Sequence, residues 1–243
     1  MDTDLLFKRN RLLSSLPSRE RNLLQPNLEA ISLETKDKIN EAGSAVRYIH
    51  FPIDSAISLM DIEQDGRVVE VAVVGMEGCT GFNMVLGLSR APCRTIVQIG
   101  GSAFRLAASK VLSLLERLPS LQHAFTRFND VLFRTAVISV GCSQFHSVEQ
   151  RLGRWLLAHQ HRTGLSTFPF THDFLGEQLG VQRVTVTQVL SSLQNEGIVG
   201  YGYGEIHLLN PPAMARRSCK CFPKVKAIIE QYVKELRGGR SGA

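Results

Sequence analysis

Residues 180–197 read GVQRVTVTQVLSSLQNEG, and the fold turns on whether Val184-Thr185-Val186-Thr187 belongs to a strand or to a helix. Over these four positions apolar and polar residues alternate, as they do along a half-buried strand. The alternation stops there, because Gln188-Val189-Leu190-Ser191-Ser192-Leu193 has no period of two. Read as a helix over 183–196, the segment places Val186, Val189, Leu190 and Leu193 at i, i+3, i+4 and i+7, one buried face over two turns. The β-branched run lowers helix propensity by only roughly a few tenths of a kcal/mol per residue. Packing offsets that, and the helix is the better reading.

Just upstream, Thr171 can cap a helix, Asp173 complements its dipole, and Phe174, Leu175 and Leu179 give it an apolar face. Gly180 ends it, leaving three or four residues before the next helix, the spacing of a helix-turn-helix. The face of the second helix opposite its core holds Val184, Gln188, Ser191 and Asn195, with Thr187 at its side and Gln182 and Arg183 at its N-terminal end. Arginine bonds guanine bidentately and glutamine does so with adenine, so this face suits base edges and phosphates. An outward Val184 either tucks against the preceding helix or meets a thymine methyl. Downstream, Ile198–Leu209 alternates with glycines as a two-stranded ribbon with a turn near Gly204-Glu205, a β wing. Its GYGYG is no dinucleotide fingerprint, since it follows a helix instead of linking a strand to one.

Composition sets the outer bounds. At 243 residues and 44% hydrophobic content the chain can bury one large core or two modest ones. Its five cysteines are odd in number and unevenly spaced, which argues against a secreted disulfide framework and for a reducing, cytoplasmic setting. The N-terminal MDTDLLFKRNRLL is not a signal peptide, and VLFRTAVISV, the longest apolar run, is interrupted by Arg134, far from the ~18 residues of a membrane span. Residues 1–147 carry 16 basic and 15 acidic side chains, whereas residues 148–243 carry 12 basic and 7 acidic. A neutral front and a basic back point to a polyanion at the back. No HExxH, GxSxG or phosphate-loop motif occurs, and only His50 lies in residues 31–106, so the sequence designates no catalytic residue and no enzyme.

The remainder divides by pattern. A helical lead covers about residues 5–30, and residues 31–106 are short β-rich runs such as RYIHFPIDSAISLMDI and RVVEVAVVG, the latter entered through an Asp65-Gly66 hairpin turn. Ser109 is placed to cap a short helix. From Pro119 to about Phe145, Leu121, Phe125, Phe128 and Leu132 recur at spacings of 3 and 4, and Val131, Ala136, Val137 and Val140 add a second stripe. Such a helix is about 40 Å long, more than one small β domain covers, so Phe125, Phe128 and Leu132 are expected to meet the same helix of a second subunit. Ser147 caps the following helix and marks a domain boundary, residues 163–169 are a loop or short extended piece, and His159 and His161 are expected in solvent.

Taken together, the HDFLGEQLGVQRVTVTQVLSSLQNEGIV stretch, with RYIHFPIDSAISL and DGRVVEVAVVGMEGCTG in support, resembles the Crp/Fnr superfamily of bacterial regulators over about residues 10–222. The resemblance implies an α+β fold: an N-terminal β-roll sensor of jelly-roll type (1–118), a long dimerisation helix and hinge (119–146), a winged helix-turn-helix (147–222) and a basic C-terminal helix or tail (223–243). It implies a homodimeric transcription regulator whose partners are a palindromic DNA operator, a second copy of itself and RNA polymerase. Its DNA-binding positions fall on Gln182, Arg183, Val184, Thr187 and Gln188, with Thr171, Thr185 and Tyr203 completing the set. Val184 stands where many relatives place a cytosine-reading glutamate, so the operator is expected to differ. The effector positions fall on Gly81, Phe82, Asn83, Arg94 and Thr95, a degenerate match that lacks the glutamate of cyclic-nucleotide binders; no cofactor is expected and the effector is unidentified. An N-terminal cysteine cluster for iron–sulfur sensing is missing, and Cys219-Lys220-Cys221 lacks two further metal ligands in the local sequence. The competing reading is a ligand-sensing protein-interaction module with a non-functional DNA-binding domain, which predicts no salt-dependent binding to any duplex.

Overall fold

The structure is a computed structural model that describes residues 3–64 and 68–238, with residues 3 and 4 as backbone only; the expected Asp65-Gly66 turn lies outside the described residues. Three short helices lead in: α1 (Thr3–Arg9), α2 (Arg11–Ser15), capped by the Asn10 side chain, and α3 (Ser18–Leu24). They give way to strand at Leu28. The strands are β1 (Leu28–Leu33), β2 (Lys38–Asn40), β3 (Tyr48–Pro52), β4 (Ala56–Ile62), β5 (Val68–Val74), β6 (Arg94–Ile99) and β7 (Gly101–Ala107). They form two antiparallel sheets, ordered β1-β7-β3 and β2-β6-β4-β5. Alternate side chains such as Ile49, Phe51, Phe104 and Leu106 face inward and are fully buried. This is the expected β-roll.

After α4 (Ala108–Leu114), which lacks any side-chain cap, so that Ser109 sits inside the helix instead of before it, α5 runs over Pro119–Phe145 with proline in its first turn. Its buried face includes Phe125 and Phe128. Phe125 stacks on Phe51 at 6.3 Å, and Phe128 meets Phe82 edge-on at 5.7 Å while its ring lies directly over Gly78, where a Cβ would come within 2.0 Å. Leu132 packs against the same core. The three residues expected at a dimer seam are therefore turned into their own chain, because the C-terminal helix packs along this face beside the β-roll, with the Tyr232 ring 5.6 Å from that of Phe128. The outward stripe is Phe133, Val137 and Val140, each more than half exposed.

The chain turns at His146 into α6 (Val148–Thr163), which begins with a complete capping box between Ser147 and Gln150. Then follow β8 (Thr167–Phe168), α7 (His172–Leu179), α8 (Arg183–Asn195), β9 (Val199–Gly202), β10 (Glu205–Leu208), α9 (Pro211–Arg217) and α10 (Cys221–Gly238). The stretch 163–169 supplies a third wing strand, in the order β8-β10-β9. The C-terminal helix begins before residue 223, and its apolar face does not belong to the winged helix: Val225, Ile228, Ile229, Tyr232 and Val233 complete the core beneath the β-roll, with the Tyr232 hydroxyl donating to Ala124 O.

The winged helix is seated against the β-roll through α6. Arg162 Nε donates to Glu77 at 3.0 Å, both side chains being almost wholly buried, and a Cβ on Gly75 would come within 2.6 Å of Arg162 Cβ. Trp155, the sole tryptophan, donates its indole N–H to Glu70 of β5 at 3.1 Å. Gln98 of β6 donates to Glu70 and bonds His159 Nε2, while His159 Nδ1 lies 2.9 Å from Trp155 O. His159 is thus the opposite of solvated: it has no exposed surface, and its ring lies tilted 3.9 Å from that of Trp155. His161 is partly buried and bonds Glu230 at 2.9 Å.

Burial holds His159 neutral down to about pH 3 and His50 down to about pH 4, aided by nearby arginines, whereas an unfolded histidine takes its proton near ~6.5. Folded-state stability from these groups is full above pH 6.5 and is lost as pH falls toward their folded values, approaching about 1.4 kcal/mol per pH unit for each. Buried Glu70, whose carboxyl is raised by desolvation, titrates in the opposite sense. In a Glu70→Gln protein, which removes that opposing titration, the thermal midpoint followed by Trp155 fluorescence is expected to fall steadily from pH 6.5 to 5. A flat profile over that range would show that the histidines are solvated.

Candidate nucleic-acid interface

Local chemistry builds the α7–turn–α8 unit. The Thr171 hydroxyl accepts from Phe174 N at 3.2 Å and starts α7; Gly180, at φ +62°, ends it in the left-handed conformation. Val181 N donates back to Gly176 O at 2.9 Å, and a Cβ on Gly176 would meet Val181 O at 2.8 Å, so only glycine lets the turn fold this closely over α7. Helix α8 then buries Val186, Leu190 and Leu193 completely. The segment 183–195 is helix throughout, and the VTVT alternation inside it is incidental.

On the other face Gln182, Arg183, Val184 and Gln188 are exposed, and Thr185 and Thr187 are half-buried. Val184 is 63% exposed, so it does not tuck against α7. That leaves its isopropyl group for an external apolar contact. The Arg183 guanidinium makes only a loose, exposed pair with Asp173 at 3.4 Å, which a phosphate or base edge can displace at little cost. Thr187 is more tightly held, donating to Arg183 O at 3.1 Å and lying 2.9 Å from His172 Nδ1; His172 in turn packs edge-on against Tyr201, whose hydroxyl is 3.1 Å from Ser191 Oγ. This polar ring ties α7, α8 and the wing together, and no short sequence pattern announces it.

The wing turn lies one residue earlier than expected. Gly202 pairs with Glu205, so Tyr203-Gly204 is a two-residue loop, both at positive φ (53° and 81°), the geometry of a type I′ turn. Tyr203 is fully exposed at this tip, an unusual backbone position for a bulky residue, and a Cβ on Gly204 would stand 4.0 Å from the Thr171 methyl. Thr171, the wing tip and the N-terminal half of α8 thus share one surface. Gln182 and Arg183 also line a cleft of about 930 Å³ whose far wall is β4 and β5, with Asp61, Glu63, Val68 and Val69.

The five effector positions are spent on local structure. Gly81 has φ +78° and no room for a Cβ beneath Tyr48 O, and Phe82 is buried against Phe128. Asn83 donates to Leu88 O and Arg90 O and closes its own loop. Across the other sheet, Arg94 is held by Glu41, and Thr95 is buried in strand pairing with Leu59 and Asn40. Neither group presents a free anion-binding set.

A different cluster of ligand-type atoms forms where none was expected. Cys142 and His146, one turn apart at the end of α5, meet Cys219 and Cys221 of the link into α10, with all four ligand atoms within 4.8 Å of one another. The two ligands that the Cys-x-Cys pair lacks locally come from some 75 residues upstream. A Cys-x3-His spacing on one helical face was the available signal. The Cys142 sulfhydryl beside it draws the Cys219 thiol down to about 5.

The fold and the α7–α8 unit define a class of architecture, a β-roll joined through a long helix to a winged helix-turn-helix, and known proteins share it. The family description of a Crp-like helix-turn-helix domain matches residues 150–217. No curated protein matches the sequence. Among solved structures, FixK2 from Bradyrhizobium japonicum is 17% identical with a TM-score of 0.62, covering 79% of this chain and 98% of its own. A transcriptional regulator of the Crp/Fnr family from Eubacterium rectale is 14% identical (TM-score 0.63; 84% and 96%), and the c-di-GMP-responsive global regulator CLP of Xanthomonas campestris is 15% identical (TM-score 0.61; 79% and 99%). The chain has the fold of a Crp/Fnr-type DNA-binding transcription regulator, with a Crp-like helix-turn-helix domain at its C-terminal end. Among the described residues no helix is long and apolar enough to cross a membrane.

Because asparagine accepts the left-handed conformation and Asn-Gly is favoured in type I′ turns, Tyr203→Asn is expected to raise stability by about 1 kcal/mol in thermal denaturation. If the wing tip touches DNA, the same variant binds duplex more weakly in a mobility-shift titration.

Proposed function

We propose that this chain is a homodimeric, sequence-specific transcription regulator that places α8 in the major groove. The reading rests on one observation above others: a Crp-like helix-turn-helix whose Gln182, Arg183, Val184 and Gln188 face outward without strong partners. In this reading Arg183 and Gln188 bond base edges, Val184 meets a thymine methyl, Gln182, Thr185 and Thr187 support the groove contacts, and Thr171 and Tyr203 reach phosphates. Two copies joined through Phe133, Val137 and Val140 at i, i+4 and i+7 present their α8 helices to successive grooves about 34 Å apart, which calls for a palindromic operator. RNA polymerase is the further partner, the cytoplasm the place of action, and no side chain is assigned a catalytic role.

Seating the winged helix on the β-roll turns Gln182 and Arg183 toward a wall bearing Asp61 and Glu63. DNA offers those residues the same negative charge at higher density, so binding and docking compete. An effector at the β-roll would act by shifting that balance.

The test is operator selection from random duplexes followed by titration. Arg183→Ala is expected to lose about 1–3 kcal/mol and relax preference at one base pair; retention of both affinity and preference would falsify the assignment of α8. A Phe133→Glu, Val137→Glu protein is expected to sediment as a monomer and lose operator affinity while keeping its circular dichroism. A protein that still sediments as a dimer removes this seam.

A further inference from the structure

We propose that Cys142, His146, Cys219 and Cys221 form a structural zinc site that fastens the end of α5 to the link between α9 and α10. The geometry carries the inference. Cys142 Sγ lies 3.6 Å from Cys219 Sγ, and Cys221 Sγ lies 3.7 Å from His146 Nδ1. A tetrahedral ion with zinc–sulfur bonds of ~2.3 Å and a zinc–nitrogen bond of ~2.0 Å sets sulfur–sulfur edges of ~3.8 Å and sulfur–nitrogen edges of ~3.5 Å. These two edges match those of the tetrahedron, and the remaining ligand atoms, all within 4.8 Å of one another, need close in by no more than about 1 Å to complete it. A disulfide holds its sulfurs at ~2.05 Å, and all five cysteines are free thiols. An iron–sulfur cluster, whose ligands radiate from separate irons, needs a wider cage than 4.8 Å.

The surroundings suit a closed site. The three cysteines are buried and His146 is partly so, and four protein ligands leave no open position for a substrate. Three thiolates and one zinc ion carry a net negative charge, and the Arg154 guanidinium acts on both Cys142 and Cys221 to offset it. The Arg154 Nε is buried without a hydrogen-bond partner. The Cys221 backbone N–H also points to the Cys219 sulfur, the kind of outer bond that holds a thiolate ligand in place. Zinc binding moves no electrons. Each thiol that still carries a proton releases it to solvent as its zinc–sulfur bond forms, and the neutral imidazole donates through Nδ1.

The position gives the site its role. Cys142 and His146 immediately precede α6, and the Cys219 N–H bonds Gln150 O at 3.4 Å, so one ion would lock both connections by which the winged helix leaves and rejoins the rest of the fold. Metal binding is read independently of DNA binding.

The experiment uses the full chain, reduced and freed of metal, titrated with cobalt(II) and then zinc. One equivalent of cobalt is expected to give the visible bands of a tetrahedral ion and a thiolate-to-metal charge-transfer band, both bleached by one equivalent of zinc. Cys142→Ser and Cys219→Ser are expected to abolish the signal. His146→Ala should weaken binding by more than the ~10–100-fold that loss of an outer partner costs, and Cys93→Ser should change nothing. Because the wild-type spectrum is read first, a serine variant that fails to fold leaves the test intact. Wild-type protein that takes up no cobalt after reduction, or a charge-transfer band that survives in folded Cys219→Ser, overturns the proposal.

Discussion

The buried Arg162–Glu77 ion pair fixes the relation between the two halves of the molecule. Removing one member leaves a charge stranded away from water, a cost of about 3–5 kcal/mol, whereas replacing both by apolar groups is often neutral. The pair therefore contributes position more than stability. It lets α6 approach the β-roll at one place and one angle, and the neighbouring sequence is shaped to match: Gly75 leaves room for the Arg162 backbone and Gly78 leaves room for Phe128. The segment Gly75–Gly81 reads as a loop, yet it is the seat on which both long helices rest.

From that seat the remaining constraints follow. With α5 pressed onto the β-roll by Phe125 and Phe128, its opposite side is left apolar and wet. With α6 held by Arg162, the indole of Trp155 and the ring of His159 enter a polar joint where Glu70 and Gln98 of the β-roll bond the Trp155 N–H and His159 Nε2. The α7–α8 surface is assembled beyond this joint and is held to itself by His172, Thr187, Tyr201 and Ser191. Its internal order does not depend on whether it is docked.

Local chemistry was legible in the sequence. The helix over 119–145, the Ser147 and Thr171 caps, the Gly180 stop and the Val186–Leu193 face all follow from interactions within a few residues of each other. The larger errors share the opposite property. Periodicity shows that Phe125, Phe128 and Leu132 form a face, but not whether the surface they meet belongs to their own chain. His159 looked solvated because its side-chain partner, Gln98, lies more than sixty residues away. The cysteine–histidine cluster joins residues 77 apart, and the α10 face found its partners on α5 and in the N-terminal core. The wing turn was displaced by one position because a tyrosine at positive φ is the less expected choice when a glycine stands next to it.

The path of the chain has a mechanical consequence. Because α10 returns from the winged helix to pack on α5 and α2, with Glu230 paired to Arg11, residues 147–220 are a module inserted into a body that closes around its own two ends. Such a module is attached at two adjacent points and not by one flexible strap. Once the Arg162–Glu77 pair and the Glu70–Gln98 joint are undone, the freedom left to it is that of a door on its frame, rotation about the line through both attachments with twisting or drifting away opposed. Any signal that reaches the α7–α8 surface need supply only the energy to undo that joint and open that single angle.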